Sequence, residues 1–371
     1  MSDRIWVGTR KGLFAIERST AGWSITDAML LGDPVTMLVE DRNGAIHAAQ
    51  DMGHFGSKIK RSVDSGNSWE ERAVPQYPEM PEGYEEIDPI HNLPVKWDLR
   101  TIWSLENGHR DRPNELWCGT IPGGLFRSSD GGDTWQMVEG LWYHPDRKNW
   151  VGGGADFPGI HSILIDPRSA DTVRIGVSCG GIWVSEDGGE KWDCRGVGQR
   201  AEYMPPEQAM NPAVQDPHCV VQCSTNPDRI WIQHHNGIFR SDDAGDTCSE
   251  IVCENPSSFG FATVVDPNDP DTAWFIPGVK DQQRYPRDGS LVVTRTADAG
   301  ETFESLTDGL PQTHAYDLVY RHALDIDGRG ERLAFGSTTG NFWVSENRGE
   351  HWTQISSTLP PVYCVKFSSS P

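Results

Sequence analysis

The sequence predicts an all-β protein, a single seven-bladed β-propeller, and three observations lead to that prediction. A short motif recurs six times along the 371 residues, strand-like runs surround each copy, and the two ends of the chain complement each other. Successive copies start 66, 57, 56, 55 and 49 residues apart. Such regular spacing is typical of repeated units of secondary structure. Length alone would suggest two domains, but closed all-β folds often exceed that guide. We therefore expect one domain spanning residues 1–371.

The repeated motif has the chemistry of a tight turn between two strands. It reads Ser-x-Asp-x-Gly-x-Thr-Trp, and the other copies start at Ser62, Ser185, Ser241, Thr296 and Ser345, beside the most complete one at Ser128. The third residue is expected to accept backbone N–H groups, the Gly to adopt a backbone conformation that other residues disfavour, and the Trp to bury a large apolar face. The expected structural residues at the third position are Asp64, Asp130, Asp187, Asp243, Asp298 and Asn347.

This motif resembles the Asp-box, or bacterial neuraminidase repeat, over nearly the whole chain. The Asp-box occurs in sialidases, xyloglucanases, sortilin-type receptors and photosystem assembly factors, so the resemblance implies a propeller fold much more strongly than a function. The chain is also similar in this respect to single-domain bacterial repeat proteins described as glycosyl hydrolase-like. The resemblance to sialidases is incomplete, because they have six blades and an Arg-containing signature that is absent here. Xyloglucanases match the seven blades but pair two propellers.

The runs around each motif fit four strands per blade. In the third blade the strands are expected at 101–105, 115–119, 124–128 and 134–138, since short runs rich in Val, Ile, Trp and Phe are bounded there by Gly, Pro and Asp. Further innermost strands are predicted at 163–165, 220–222, 263–265 and 318–320.

The seventh unit is divided between the two ends of the chain. Residues 5–9 and 12–14 repeat the pattern of residues 116–120 and 124–126. The innermost strand that this unit lacks is available at residues 362–367. Pairing the first and last strands would close the ring and remove exposed sheet edges. The first blade is therefore expected to consist of residues 1–32 and 360–371.

Composition favours a cytoplasmic protein that binds neither nucleic acid nor membranes. The formal net charge of −22 repels phosphate backbones and anionic lipid surfaces. The first thirty residues show no secretory signal pattern, and no apolar run is long enough to cross a membrane. The eight cysteines lack the spacing of a disulfide framework, which favours reduced thiols.

Long insertions predict a binding face opposite the repeated turns. They span residues 70–97, 140–159, 197–217 and 277–289, and loops of this length in a compact domain are usually functional or disordered. Their aromatic residues argue against disorder and suit a carbohydrate or another flat organic ligand, although each aromatic side chain also has a simple packing explanation. The expected substrate-binding residues are Trp97, Trp142, Tyr143, His234, His235, Arg284 and Tyr285.

The innermost strands suggest a ring of side chains at the channel mouth. Alignment gives one position per blade, occupied by Thr36, Arg100, His161, His218, Phe261, Tyr316 and Tyr363. Arg100 is expected to bind a substrate carboxylate or other anion, His161 and His218 to transfer protons or bind a metal, and Tyr316 to donate a proton. A divalent transition metal, possible but not required, would be held by His161, His218, His234 and His314. Hydrogen-bonded structural histidines explain the same pattern equally well.

Three classes of function remain open from the sequence. A glycoside hydrolase would use rim carboxylates, of which Asp98 and Asp216 are the candidates, because hydrolysis needs two carboxyl groups flanking the bond. A lyase or metal-dependent enzyme would use the His, Tyr and Arg residues of the ring. A non-catalytic scaffold would need none of them. The sequence favours an enzyme acting on a carbohydrate or small organic substrate.

Overall fold

The computed structural model describes residues 2–88, 92–152 and 155–369, and nearly all of its regular structure is β-strand. The strands are β1 (Arg4–Thr9), β2 (Gly12–Ser19), β3 (Gly22–Met29), β4 (Val35–Glu40), β5 (Ile46–Asp51), β6 (Ser57–Ser62), β7 (Glu70–Arg72), β8 (Thr101–Asn107), β9 (Leu116–Ile121), β10 (Leu125–Ser128), β11 (Gln136–Met137), β12 (Ile160–Ile165), β13 (Val173–Val177), β14 (Gly181–Ser185), β15 (Asp193–Arg195), β16 (Pro217–Gln222), β17 (Ile230–His234), β18 (Gly237–Ser241), β19 (Ser249–Ile251), β20 (Gly260–Asp266), β21 (Asp269–Pro277), β22 (Val293–Thr296), β23 (Glu304–Leu306), β24 (Leu324–Ile326), β25 (Leu333–Gly336), β26 (Phe342–Ser345), β27 (Thr353–Ser356) and β28 (Val362–Phe367). The helical segments are α1 (Glu139–Trp142) and the 3-10 turns Gly53–Phe55, Arg147–Asn149, Pro212–Val214 and Arg287–Gly289.

These strands form seven four-stranded antiparallel sheets, the blades of the predicted seven-bladed β-propeller. Sheet 1 has the order β28-β1-β2-β3, and sheets 2 to 7 follow in chain order as β4–β7, β8–β11, β12–β15, β16–β19, β20–β23 and β24–β27. The chain divides into two compact units, one of residues 1–36, 218–244 and 249–371 and the other of residues 37–217 and 245–248. The expectation of one domain stays a prediction.

Sheet 1 joins the two ends of the chain, as the sequence predicted. Strand β28 pairs antiparallel with β1, and Ile5 lies opposite Phe367 while Val7 lies opposite Val365. Three side chains of this strand are buried, those of Val362, Cys364 and Val365. Met1, Ser370 and Pro371, which the prediction also assigned to this blade, lie outside the described residues.

The other strand predictions are confirmed within a few residues, with one exception in sheet 7. Its innermost strand is Leu324–Ile326, whereas the sequence placed it at residues 318–320. There the backbone makes an isolated hydrogen bond from Thr338 N to Leu318 O (2.8 Å), and a turn follows in which Ala323 N donates to Tyr320 O (2.8 Å). The strand therefore starts only after this turn, and the apolar run before it belongs to the preceding loop.

The repeated motif forms the turns between the third and fourth strands. In sheet 3, Ser128 Oγ donates to Asp130 Oδ1 (2.8 Å) and accepts from Gly132 N (2.9 Å), while Thr134 N donates to Asp130 Oδ1 (2.9 Å). The fourth strand begins one residue after the Trp of the motif, at Gln136. Since both polar side chains bind backbone N–H groups, the turn is closed by the motif itself.

Each compact unit has its own apolar core. In the unit that contains sheets 1, 6 and 7, Phe335 stacks on Trp343 with a centroid distance of 4.9 Å, and Trp274 and Trp352 are buried in the same cluster. In the other unit Trp117, Trp183 and Trp192 share a second cluster. All eight cysteines are free thiols. Among the described residues, none of the helices has the length and apolarity required to cross a membrane.

Candidate functional site

The strand boundaries give each sheet an equivalent position on its innermost strand. In five sheets this position is the second residue of the strand, as the sequence alignment predicted. These residues are Thr36, His161, His218, Phe261 and Tyr363. Convergence of the whole ring on one channel mouth stays a prediction.

The strand registers correct the alignment in sheets 3 and 7. Ser104 pairs with Gly119 as Ser162 pairs with Gly176, which makes Trp103 rather than Arg100 the counterpart of His161. Similarly, Ile326 pairs with Leu333 as Ile165 pairs with Val173, so His322 takes the place predicted for Tyr316. Arg100 and Tyr316 lie in the segments before these strands.

Arg100 and Asp98 lie on the surface of the second unit. The guanidinium of Arg100 lies 4.1 Å from the centroid of the Phe157 ring and 4.0 Å from the Asp156 carboxylate. Asp98 is exposed. The guanidinium of Arg100 is therefore half exposed, and its predicted role in anion binding stays a prediction.

The aromatic residues of the first two insertions pack mainly against one another. Trp142 is buried, with Trp97 at 5.1 Å and the guanidinium of Arg147 at 3.8 Å from its ring. Arg147 is itself paired with Glu86 (2.7 Å), and that carboxylate also accepts from Trp97 Nε1 (2.8 Å). The structure thus gives Trp142 a packing role, and of the predicted binding aromatics in this region Tyr143 is the one that is well exposed, at 56%.

Two of the histidines predicted as metal ligands are enclosed in local contacts. His161 is buried, with Nδ1 2.9 Å from Ser162 Oγ and its ring against Trp103. His234 is also buried; its Nδ1 accepts from Asn236 N (3.1 Å), and its ring lies against Phe239. Neither residue joins the group of possible metal ligands that the described residues form.

That group consists of Asp216, His218 and His235, whose ligand atoms all lie within 4.8 Å of one another. Of the four predicted metal ligands it contains His218 alone, and His235 had been assigned to substrate binding. The correction arises because His234 ends strand β17 and binds its own backbone turn, whereas His235 follows the strand and its ring lies 5.4 Å from that of His218.

His218 lies in an aromatic and cationic environment. Its ring stacks on Phe261 at 4.3 Å with an interplanar angle of 13°. Two guanidinium groups also lie near the Phe261 ring, those of Arg284 at 5.3 Å and Arg321 at 5.5 Å. Partial burial would lower the pKa of Arg284, but hydrogen bonds to Tyr320 and Asp281 raise it above its ordinary value. Arg284 therefore remains a cation beside this cluster.

A pocket of about 610 Å³ lies in the first unit, between the loop after β21 and the segment before β24. Its lining residues are Val279, Tyr285, Arg287, Asp288, Gly289, Thr313, His314 and Tyr316. This volume lies within the range of small-molecule sites. The rings of Tyr285 and Tyr316 are 6.5 Å apart, and the side chains are 38% and 61% exposed. Three of the predicted site residues, Tyr285, His314 and Tyr316, are therefore brought together here.

Backbone conformation sets this pocket apart from an ordinary loop surface. Asp288 has φ = 57° and His314 has φ = 55°, values in the left-handed region that few non-glycine residues adopt. Both residues line the pocket. Unfavourable backbone conformations are retained where neighbouring structure enforces them, which occurs often at ligand sites. The sequence does not identify Asp288 as a site residue, because an Asp-Gly pair in a loop is typical of an ordinary turn.

Comparison with known proteins connects the chain to xyloglucanases. No protein-family model matches it. The chain is 26% identical over 310 residues to an oligoxyloglucan-reducing end-specific xyloglucanase of Emericella nidulans, covering 75% of this chain and 36% of that protein. It is 35% identical over 83 residues to a probable enzyme of the same description from Neosartorya fischeri. The chain thus spans about a third or less of the length of these relatives.

Solved structures share the fold at low sequence identity. An ancestral GH74 enzyme matches 95% of this chain with 40% of its own length, at a TM-score of 0.60 and 14% identity. A protein from Lactobacillus plantarum matches 99% of both chains at a TM-score of 0.63 and 12% identity. The structure of YCF48 bound to D1 peptide matches 88% of this chain with 79% of its own length, at a TM-score of 0.51 and 13% identity. The chain therefore shares its propeller fold with these structures.

Proposed function

We propose that this chain is a carbohydrate-active hydrolase that binds its glycan in the pocket formed by Tyr285, Tyr316 and their neighbours. The observation that carries the proposal is the pairing of two exposed tyrosines with polar side chains in one pocket of suitable size. The sequence relationship to a xyloglucanase, which covers 75% of the chain, supports the same class of substrate.

The pocket offers the two kinds of contact that a sugar requires. The faces of Tyr285 and Tyr316 supply flat apolar surface for the C–H face of a pyranose ring. Arg287, Asp288 and His314 supply donors and acceptors for its hydroxyl groups. Arg287 is oriented by donation from Nη1 to Pro256 O (2.7 Å), which keeps one side of the guanidinium engaged with the protein.

Hydrolysis needs one carboxyl group as acid and a second as base or nucleophile. Asp288 supplies the carboxylate among the residues that line this pocket. The carboxylates predicted from sequence differ in their surroundings, because Asp98 is exposed whereas Asp216 is buried and accepts from Ser178 Oγ and Cys179 N, each at 3.1 Å. We assign the proton-transfer role in this pocket to Asp288.

A glycan panel that includes xyloglucan oligosaccharides tests the function. Purified protein should release new reducing ends without the near-ultraviolet absorbance that a lyase product would show. Asp288→Asn should reduce turnover at least 100-fold with little change in binding, because it removes a proton-transfer group but keeps the shape of the pocket. An unsaturated product would show that the protein is a lyase rather than a hydrolase. The absence of both glycan binding and product would indicate a non-catalytic scaffold.

The location of the site is tested by a matched pair of tyrosine variants. Tyr316→Ala should weaken glycan binding roughly 10-fold, about 1.4 kcal/mol, since it removes an exposed ring from the pocket. Tyr143→Ala is the control, because Tyr143 is similarly exposed but lies in the 140–159 insertion. Calorimetry should detect less than a twofold change for this variant. If Tyr143→Ala weakened glycan binding and Tyr316→Ala did not, the glycan site would lie at the 140–159 insertion instead.

A further inference from the structure

The group Asp216, His218 and His235 arises from the geometry of a single sheet. Asp216 directly precedes strand β16, His218 is the second residue of that strand, and His235 directly follows strand β17. Strands β16 and β17 are antiparallel neighbours in sheet 5, so the first residues of β16 and the last residues of β17 lie at the same end of the sheet. The three ligand atoms lie within 4.8 Å of one another, as a common metal ion would require.

His218 is held in the tautomer that a metal ligand needs. Its Nδ1 lies 2.7 Å from the carbonyl oxygen of Gly260, an acceptor, so Nδ1 carries the proton and donates. The lone pair of the ring is then on Nε2. Histidines that bind metals commonly donate their other N–H group to a backbone carbonyl in this way. Stacking of the ring on Phe261 fixes its orientation further.

Asp216 is held as an oriented carboxylate. Its Oδ1 accepts from the hydroxyl of Ser178 and from the backbone N–H of Cys179, both at 3.1 Å, and the side chain is buried. Two donors on one oxygen fix the orientation of the carboxylate. Hydrogen bonds of this kind to a ligating carboxylate are typical of the layer around a metal site.

The donor set indicates which cations fit. Two imidazole nitrogens and one carboxylate suit Zn²⁺, Fe²⁺, Co²⁺ or Ni²⁺, whereas Ca²⁺ and Mg²⁺ prefer oxygen ligands. Three protein ligands leave positions for water or a substrate, as in catalytic rather than structural zinc sites. Aromatic rings adjoin the group, since Phe259 lies against both His218 and His235.

We propose that Asp216, His218 and His235 bind one divalent transition-metal ion. The site is independent of the glycan pocket and of the hydrolase function, because it rests on the ligand geometry of sheet 5 alone. Arg284 and Arg321, near the Phe261 ring on which His218 stacks, give the same region cationic side chains suited to an anionic ligand.

Metal binding is tested on the full chain after removal of metals with a chelator. Titration with Zn²⁺ in a calorimeter should show one ion per chain at micromolar affinity or tighter. Co²⁺ should give visible absorption bands at the same stoichiometry, and Mg²⁺ should not compete. His235→Ala should weaken Zn²⁺ binding at least 100-fold, as should His218→Gln. Because His235 is only partly buried, its variant keeps the test valid if His218→Gln fails to fold.

The control variant is His314→Ala, an exposed histidine that the sequence also suggested as a ligand. It should bind Zn²⁺ as the unmodified chain does, and circular dichroism should show equal folding of all metal-free variants. Absence of stoichiometric binding by the unmodified chain would overturn the proposal. So would binding that survives within threefold in His235→Ala, or that is lost equally in His314→Ala.

Discussion

Buried aspartates at the ends of innermost strands bind the backbone of the turns that follow them. Asp41, Asp166, Asp266 and Asp327 are buried, and each accepts at least one backbone N–H from the turn that follows its strand. Asp166 also binds two guanidinium groups, those of Arg168 (2.8 Å) and Arg174 (3.1 Å). Burial alone would raise the pKa of Asp166, but these hydrogen bonds lower it to about 2.

This shift predicts a pH-dependent stability. Because the pKa of Asp166 is lowered on folding, its contribution is present above the unfolded value of about 3.9 and is lost as the pH falls towards 2. The ionised carboxylate should therefore contribute roughly 2 kcal/mol at pH 7. Urea unfolding should show Asp166→Asn destabilised at pH 7, with the difference from the unmodified chain shrinking at pH 3. Asp98→Asn, an exposed counterpart, should show no such trend. A difference independent of pH would assign the effect to packing.

At the residue scale, the sequence predicted the types of side chain in the ring better than the register of the strands that carry them. His161, His218 and Phe261 were found because each precedes an Asp or its equivalent by five residues, and the same spacing from Asp327 points to His322. Sheet 3 has Gly108 at the position where four other sheets have Asp, so this spacing could not show that Trp103 rather than Arg100 is the equivalent residue. The role of His235 depends on where strand β17 ends, which spacing alone did not decide.

At the scale of elements, the repeated turns were predictable because their stabilisation is local. The same hydrogen bonds recur where Asn replaces Asp: Asn347 Oδ1 accepts from Ser345 Oγ and from His351 N, each at 3.0 Å. The insertions were less predictable, since the contacts of Trp142 with Trp97 and Arg147 join segments far apart in sequence. Aromatic composition alone did not distinguish internal packing from ligand binding.

The natural Asn347 turn provides the control for a test of these elements. Asp130→Ala removes the acceptors of Ser128 Oγ, Thr134 N and Thr134 Oγ1. At roughly 1 kcal/mol per hydrogen bond, the thermal midpoint should fall by several degrees. Asp130→Asn keeps Oδ1 as an acceptor, and its thermal midpoint should fall by less than half as much. Any glycan hydrolysis by the folded fraction should be unchanged in both variants. An equal loss in both would show that charge, rather than turn geometry, is what matters.

At the scale of the whole molecule, the two ends of the chain meet in one sheet. The sequence predicted this pairing because residues 5–14 repeat the pattern of complete blades and lack an innermost strand. The observed strand β28 supplies it, and Gly8 shows how closely the two strands pack. A Cβ added to Gly8 would lie 2.5 Å from Cys364 Sγ and 3.0 Å from Val35 O. A side chain larger than that of glycine at this position would therefore displace β28 or the start of β4.

Removal of strand β28 should therefore destabilise the protein strongly. A chain that ends at Leu359 loses the buried side chains of Val362, Cys364 and Val365 and leaves β1 as an exposed sheet edge. Burial of the two valines contributes roughly 3–6 kcal/mol, a large part of the 5–15 kcal/mol that typically stabilises a domain. We expect aggregation, or a thermal midpoint lowered by more than 10 °C, on the scale of about 2–4 °C per kcal/mol.

Two controls separate the pairing of strands from the shortening of the chain. A chain that ends at Ser369 keeps all of β28 and should unfold at the unmodified midpoint. A synthetic peptide of residues 360–369, added to the chain that ends at Leu359, should restore much of the lost stability by pairing with β1. If the shorter chain unfolds cooperatively at an unchanged midpoint, the closure of sheet 1 is not what stabilises this protein. If the peptide fails to bind a soluble short chain, strand β1 of that chain is not available to pair with an added strand.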